Sequence, residues 1–369
     1  MTTPTPTTRQ PLTHAMTLDT LVVAGGLVSA NGGIQAYSRL LWDAVDRVGS
    51  RSLISLGPAE AAAVGAARGV VTTSKWSLVV RVISQRWPAD VAIFTHVELI
   101  KLLPLLKRRP RCIVAFLNGV EVWQPLGWMT RRSLRRVDRF LSISHYTWER
   151  FSTANPEFAA RPHAVLYLGI GDSAGKEAPP PQDPPTALIL GRMAQGEDYK
   201  GHRQLIAAWP RIRQRVPGAR LGIAGGGDLR AELAMLAKRS GVAEAISFFG
   251  RVSEEEKQDL LRRARCFAMP SRGEGFGLVY LEAMRLGRPC LVGNQDAGRE
   301  VVNPPEAGIA VDPDDSAALV DAMGQLLSPG PRWAQWSTAA RRRYDAFFTA
   351  EHFQKRLLDQ LHDLAAGDC

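Results

Sequence analysis

The run Ser271-Arg-Gly-Glu-Gly-Phe-Gly-Leu-Val-Tyr-Leu-Glu-Ala-Met-Arg-Leu-Gly-Arg-Pro289 leads from a glycine-rich turn straight into a helix. Glu274 sits in the turn and Glu282 on the helix, with seven residues between them. Gly275 and Gly277 let the backbone approach a ligand closely. The first turn of the helix offers N–H groups without intrahelical partners, a seat for an anion. Ionised carboxylates on either side of that seat only accept hydrogen bonds, so they suit hydroxyl groups. A ligand with phosphate in its middle and polyols at both ends, such as a sugar nucleotide, fits this layout.

Outward from this run, short apolar stretches alternate with helical ones. Leu18-Asp-Thr-Leu-Val-Val-Ala reads as a buried strand, Gly25-Gly26 and Asn31-Gly32-Gly33 as a loop, and Ile34, Tyr37, Leu40, Leu41 and Val45 as a helix face. Further strands are predicted over 52–56, 91–95, 112–117, 139–144 and 164–168. Five prolines in the ten residues 177–186 then mark a semi-rigid linker. Beyond it strands are predicted over 187–190, 220–224, 246–249, 266–269, 289–292 and 308–311. Such alternation makes parallel sheets covered on both faces, with ligands at the carboxyl ends of the strands. The expected division is a tail (1–15), a first Rossmann-like domain (16–176), the linker, a second domain (187–345) and a Phe-rich helix (346–369).

The bulk properties narrow the class. A chain of 369 residues, 45% hydrophobic, is long enough for two or three domains and too apolar for wholesale disorder. The tail lacks the apolar core of a signal peptide. No run of about 18 apolar residues is present to span a bilayer. Four scattered cysteines without a CxxC argue for reduced thiols and against zinc, hence a cytoplasmic setting. The net charge of +10 is uneven: between Lys101 and Arg139 ten Lys/Arg face two acids. Leu99-Ile-Lys-Leu-Leu-Pro-Leu-Leu-Lys-Arg-Arg mixes leucine with basic residues as an interfacial helix would, and a peripheral contact with anionic membrane on the inner face of the plasma membrane is expected there. Nothing but charge favours nucleic acid, which is not expected as a partner.

Arg192, just past a strand, and Lys200, opening the next helix, stand where a diphosphate would lie, Arg as a bidentate donor and Lys as a point charge. Either alone is ordinarily a surface charge; in register with the Glu274 loop they form a site. Gly225, in Ala224-Gly-Gly-Gly-Asp228, marks a turn near the base or ribose, with Asp228 placed to cap the next helix. His96 follows a strand at the cleft edge.

With these residues laid out, the chain resembles glycosyltransferase family 4, the retaining group with the GT-B fold: two Rossmann-like domains facing each other across a cleft, with a C-terminal helix crossing back to the first. The resemblance rests on Gly191-Arg192 with Lys200-Gly201, on Ala224 to Asp228, on Phe249-Gly250-Arg251-Val252, and on the paired Glu274 and Glu282. It implies that Arg192 and Lys200 bind the donor diphosphate, Glu274 the hydroxyls of the transferred sugar, and Glu282 the ribose. It implies that the backbone of Gly275, Phe276, Gly277 and Leu278 reaches sugar and phosphate, that Arg251 and Val252 border the base, and that Gly32 and Gly33 bring the first domain to the phosphates. Asn118-Gly119 stands where many members carry His-Gly; Asn118 keeps a hydrogen bond to the sugar in this reading, and His96 supplies the imidazole.

Glu254 and Lys257 resemble the base-side pattern of some GDP-mannose users, although Ser253-Glu-Glu-Glu is also a good helix start. GDP-mannose is therefore favoured over UDP-glucose, UDP-GlcNAc and UDP-galactose as donor, and a lipid-linked or glycan acceptor is expected. No cofactor or metal is expected, since Asp312-Pro-Asp314 reads as a turn. The alternatives are a UDP-sugar transferase and a GT-B epimerase or silent sugar-nucleotide binder.

Overall fold

The computed structural model describes residues 17–27, 33–57, 68–175 and 178–367. Among them, parallel strands form two sheets. The first contains β1 (Thr20–Ala24), β2 (Arg51–Leu56), β3 (Arg68–Thr72), β4 (Val91–Phe94), β5 (Cys112–Leu117), β6 (Arg139–Ser142) and β7 (His163–Val165) in the order β3-β2-β1-β4-β5-β6-β7. The second contains β8 (Thr186–Leu190), β9 (Arg220–Ala224), β10 (Ile246–Gly250), β11 (Cys266–Met269), β12 (Cys290–Gly293) and β13 (Gly308–Val311) in the order β10-β9-β8-β11-β12-β13. β1, β4, β5, β11 and β12 are buried along their whole length, as expected of strands covered on both faces.

Four α-helices are described with the first sheet: α1 (Gly33–Val45), α2 (Lys75–Ser84), α3 (Trp128–Leu134) and α4 (His145–Ala154). α5 (His202–Arg215), α6 (Arg230–Arg239), α7 (Glu254–Arg263), α8 (Leu278–Arg285), α9 (Gly298–Val302), α10 (Ser316–Leu327) and α11 (Pro331–Phe347) follow with the second. α12 (Ala350–Ala366) then returns to the first sheet. Thr349 caps α12, accepting from the His352 N–H at 3.3 Å, and so separates it from α11. The stripe Phe353, Leu357, Leu361 and Leu364 is buried, and Phe353 meets the ring of Tyr37 on α1 at 6.2 Å. Arg139 of β6 donates to Gln360 at 2.9 Å.

In each sheet the chain order reverses once, between β1 and β4 and between β8 and β11. A crevice opens at such a point, beyond the carboxyl ends of the strands. The loops that flank these crevices begin at Gly25 and Thr95 in the first domain, and at Gly191 and Pro270 in the second.

Several local expectations need correction. β3 is an edge strand that sequence periodicity does not reveal, because only Val70 of its five residues is buried. The Leu-basic segment is a 3-10 helix, Val97–Leu105, whose Leu99, Ile100, Leu102 and Leu103 face the core and not the surface. The proline-rich stretch makes hydrogen bonds to the second domain. Gln182 N–H donates to Arg263 O at 3.0 Å, and the buried Arg288 guanidinium donates to Pro179 O at 2.5 Å and Arg262 O at 2.7 Å. Cys266 and Cys290 are buried free thiols, whereas Cys112 is disulfide-bonded, so the four thiols are not all reduced. No helix among the described residues is long and apolar enough to cross a membrane.

Candidate active site

One wall of the cleft is the carboxyl edge of β8, β9 and β10. Gly225 has φ +136°, and a Cβ there would stand 1.8 Å from Gly191 O, so only glycine fits. Its N–H donates to Gly250 O at 2.7 Å while Gly191 N–H donates to Ala224 O at 3.0 Å, joining the three strand ends. Arg251 lies over Gly226, and Val252 packs against the core at the start of α7. Ser253 caps α7 through a reciprocal bond with Glu256, as its sequence suggests. Asp228 does not cap α6: its carboxylate accepts the Gln195 N–H at 3.1 Å instead, fixing the loop that carries the cations.

Arg192, Lys200 and Glu274 come together on this wall. Lys200 Nζ lies 3.5 Å from Glu274 Oε2 and 3.2 Å from Glu197 Oε2, with its side chain only 13% exposed. Arg192 pairs with the same Glu197 from a side chain 78% exposed. Burial works against charge on Lys200, but Glu274, Tyr199 and Glu197 outweigh it and hold the ammonium above its ordinary range. His202, beneath them, is pushed down to about 4 by burial and by Lys200, so it is neutral at pH 7, and its Nε2 is buried without a partner.

The second carboxylate has its own cation. Lys257 Nζ bridges Glu282 Oε1 at 2.7 Å and Glu254 Oε2 at 2.8 Å. Burial pushes Glu282 up despite Lys257, and its Oε2 is buried without a partner. A buried acceptor left unpaired costs about 1–3 kcal/mol, a deficit that a ligand hydroxyl would remove.

The first domain meets this wall at Gly275. A Cβ there would stand 2.2 Å from Asn118 O, so glycine permits the approach. Ser144 Oγ donates to Gly275 O at 2.8 Å from the start of α4. Phe276 is buried against Tyr167 and Phe348, so its side chain belongs to the interdomain core. Gly277 starts α8 with no side-chain cap, leaving the first N–H groups, Leu278 included, for a ligand. A Cβ on Gly33 would lie 3.5 Å from Leu278 Cδ1. Gly32 lies outside the described residues. The Asn118 amide is engaged by Thr95 O at 3.0 Å and by the Tyr37 hydroxyl at 2.7 Å. His96 caps its 3-10 helix, Nδ1 accepting the Glu98 N–H at 3.1 Å, which leaves the proton on Nε2.

The Glycosyl transferases group 1 family model matches residues 184–329. A GDP-mannose-dependent alpha-(1-6)-phosphatidylinositol monomannoside mannosyltransferase of Mycolicibacterium smegmatis is 34% identical over 262 residues, 64% of this chain and 67% of that protein. The enzyme of the same description from Mycobacterium tuberculosis is 31% identical over 69% of this chain and 70% of its own length. This chain belongs to the group 1 glycosyltransferases. Among solved structures, Anabaena HepE in complex with UDP superposes with a TM-score of 0.74 at 17% identity, covering 94% of this chain and 100% of that one. The lipopolysaccharide outer core galactosyltransferase WaaB superposes at 0.70, with 15% identity over 94% and 99%. At such identities they establish the fold alone, the GT-B arrangement.

Three carboxylates of this group 1 glycosyltransferase carry no sequence signal. Glu197 bridges both cations. Glu300, on α9, reaches across the domains to accept the N–H groups of His145 at 2.8 Å and Tyr146 at 2.6 Å and the Tyr167 hydroxyl at 3.1 Å. Asp296, 3% exposed, accepts the Glu274 N–H at 3.2 Å on one oxygen and the Gly298 N–H at 2.9 Å on the other.

Burial and the neighbouring Glu274 push Asp296 up to about 7 from its ordinary 3.8. The folded state then binds the extra proton between these values, so this group favours folding below its unfolded pKa and loses that contribution as pH rises through about 7. The expected size is about 4 kcal/mol at most. Denaturant midpoints should therefore fall between about pH 5.5 and about pH 8 in the wild type and fall less in Asp296→Asn. Equal slopes in the two proteins would rule this out.

Proposed function

We propose that this glycosyltransferase moves a mannosyl unit from GDP-mannose to a lipid-linked acceptor with retention of configuration. The donor assignment rests on Glu254 and Lys257, which resemble the base-side pattern of some GDP-mannose users and are held together with Glu282, whose Oε2 is open for the ribose hydroxyl of any nucleoside diphosphate. The M. smegmatis and M. tuberculosis relatives, GDP-mannose-dependent phosphatidylinositol monomannoside mannosyltransferases, support both donor and acceptor class.

In this reading Arg192 and Lys200 hold the diphosphate, and Glu274 takes sugar hydroxyls beside Lys200. As the glycosidic bond breaks, the electron pair passes to the diphosphate oxygen and positive charge develops on the sugar. Fixed cations at that oxygen are the largest single source of rate. The departing phosphate takes the acceptor hydroxyl's proton on the same face, and the acceptor oxygen closes the new bond there. Domain contact at Gly275 limits water access.

A donor panel tests the assignment. At about 100 times its dissociation constant a ligand stabilises the fold by about 2.7 kcal/mol, so GDP and GDP-mannose should raise the melting temperature and UDP-glucose, UDP-GlcNAc and UDP-galactose should not. Stabilisation by UDP species alone would sink the GDP-mannose assignment and leave the family intact.

Beside the basic surface between Lys101 and Arg139, α2 offers a second candidate for membrane contact. Trp76 is 81% exposed, and with Val80 and Ile83 it forms an outward stripe at i, i+4 and i+7, opposite buried Leu78 and Val82. Exposed Lys75, Arg81 and Arg86 flank it, α2 contains no acid, and Lys107 reaches Ser84 O at 3.3 Å. Apolar stripe and basic rim match an anionic bilayer interface. The double variant Trp76→Glu/Val80→Glu should co-sediment with phosphatidylglycerol vesicles at least about tenfold less than wild type, each buried apolar side chain contributing about 1.5–3 kcal/mol. Undiminished sedimentation would reject α2 as the contact.

A further inference from the structure

Glu197 stands in the 3-10 stretch Gln195–Lys200 between β8 and α5, and its backbone (φ −128°, ψ 21°) departs from the helical region. That departure follows from fixed neighbours: Glu197 N–H donates to Ala194 O at 2.8 Å, and Gln195 N–H is held by Asp228. The carboxylate is 15% exposed, with one oxygen 3.2 Å from Lys200 Nζ and the other on the Arg192 guanidinium. Asp198, next in sequence, turns to Arg203 at 2.7 Å and takes no part. With Glu274 at 3.5 Å from Lys200, the two cations meet two carboxylates, and the formal charges of the group sum to zero.

A diphosphate is thus to be bound where the available positive charge is already answered. Glu274 has a use for its charge in the reading above, as an acceptor from sugar hydroxyls. Glu197 has none, because both its oxygens point at the cations and not at a hydroxyl site. We infer that Glu197 is the resident counter-anion of the phosphate site: it holds Arg192 and Lys200 in place while the cleft is empty, and the diphosphate displaces it. Two consequences follow from the geometry. Arg192, long and mostly exposed, is free to leave Glu197 for a phosphate oxygen, while Lys200, enclosed, stays between the two carboxylates. The remaining repulsion between Glu197 and the bound diphosphate weakens retention of the nucleotide product, so this residue sets how readily the site is vacated.

The inference rests on the donor reading of Arg192 and Lys200, and the experiment separates the two. GDP is titrated calorimetrically into wild type, Glu197→Gln, Glu197→Asp and Lys200→Ala, each checked by its melting curve. Glu197→Gln keeps the size and an acceptor for Lys200 but removes the charge. Its Kd for GDP should fall on the order of tenfold, with a steeper dependence on salt. Glu197→Asp keeps the charge and should stay near the wild-type Kd. Glu197→Ser carries the same expectation as the glutamine variant and serves if that variant does not fold. Unchanged or weaker GDP binding without the charge, or equal tightening in Glu197→Asp, overturns the counter-anion. If Lys200→Ala binds GDP like the wild type, the donor reading itself fails; if Lys200→Ala loses GDP and Glu197→Gln is unchanged, only the present inference fails.

Discussion

Lys200→Ala is expected to lower kcat for transfer by about 10²–10³-fold, the loss typical of removing one preorganised group that faces developing charge. The expectation follows from where Lys200 sits. Its ammonium is nearly enclosed, flanked by Glu274 and Glu197, and held charged by them against the pull of burial. A charge fixed before the reaction needs no reorganisation when the diphosphate departs, so its contribution is larger toward the departing diphosphate, and toward GDP itself, than toward the intact bound donor. Arg192, mostly exposed and screened by solvent, is expected to matter less. Single-turnover rates at saturating donor make the comparison, with Lys200→Arg as the variant that keeps the charge. A kcat for Lys200→Ala within about threefold of wild type would contradict the assigned role.

Glu282→Ala is expected to act on the other side of the donor and in the other kinetic constant. Its carboxylate has one oxygen on Lys257 and one buried without a partner. Hydrogen bonds to a charged group contribute about 1.5–3 kcal/mol, so the donor KM should rise by about 10–100-fold. Ribose does not change charge during transfer, so kcat at saturating donor should move little. The same truncation frees Lys257 to pair with Glu254 alone, which limits damage to the fold. A variant whose kcat collapses while KM holds would place Glu282 at the reacting centre instead.

The parts of this candidate site that are legible in the sequence are those carried by a local pattern. Glu274 and Glu282 announce themselves because a glycine turn and the helix after it occupy one short stretch, and Ser253 to Glu256 because a capping box is a local pattern. The two sheets are legible for a related reason: buried parallel strands are short apolar runs whatever lies far away. Asp296 and Glu300 escape notice because their meaning lies in partners elsewhere, and Glu197 because the sequence does not say which of the adjacent Glu197 and Asp198 turns to the cations. Asp296 is defined by a backbone N–H 22 residues earlier, and Glu300 by one 155 residues earlier. The partners that orient the Asn118 amide, Thr95 and Tyr37, lie 23 and 81 residues away and are likewise not written in its own stretch. The leucines near Lys101 mislead because composition says that an apolar face exists but not which way it turns.

The return of α12 to the first sheet has a bearing on how the molecule is made. A ribosome releases β1 and α1 early, yet the side of α1 that carries Tyr37 waits for Phe353, and β6 waits for Gln360. The first domain therefore leaves synthesis with an apolar flank uncovered, and it is closed only after the second domain has been produced. Each of Phe353, Leu357, Leu361 and Leu364 contributes about 1.5–3 kcal/mol when fully buried, so this late closure holds a substantial share of the first domain's stability. Nascent chains stalled before α12 are the species for which chaperone capture has most to offer, and the order of emergence, not the order of domains, decides when the enzyme becomes whole.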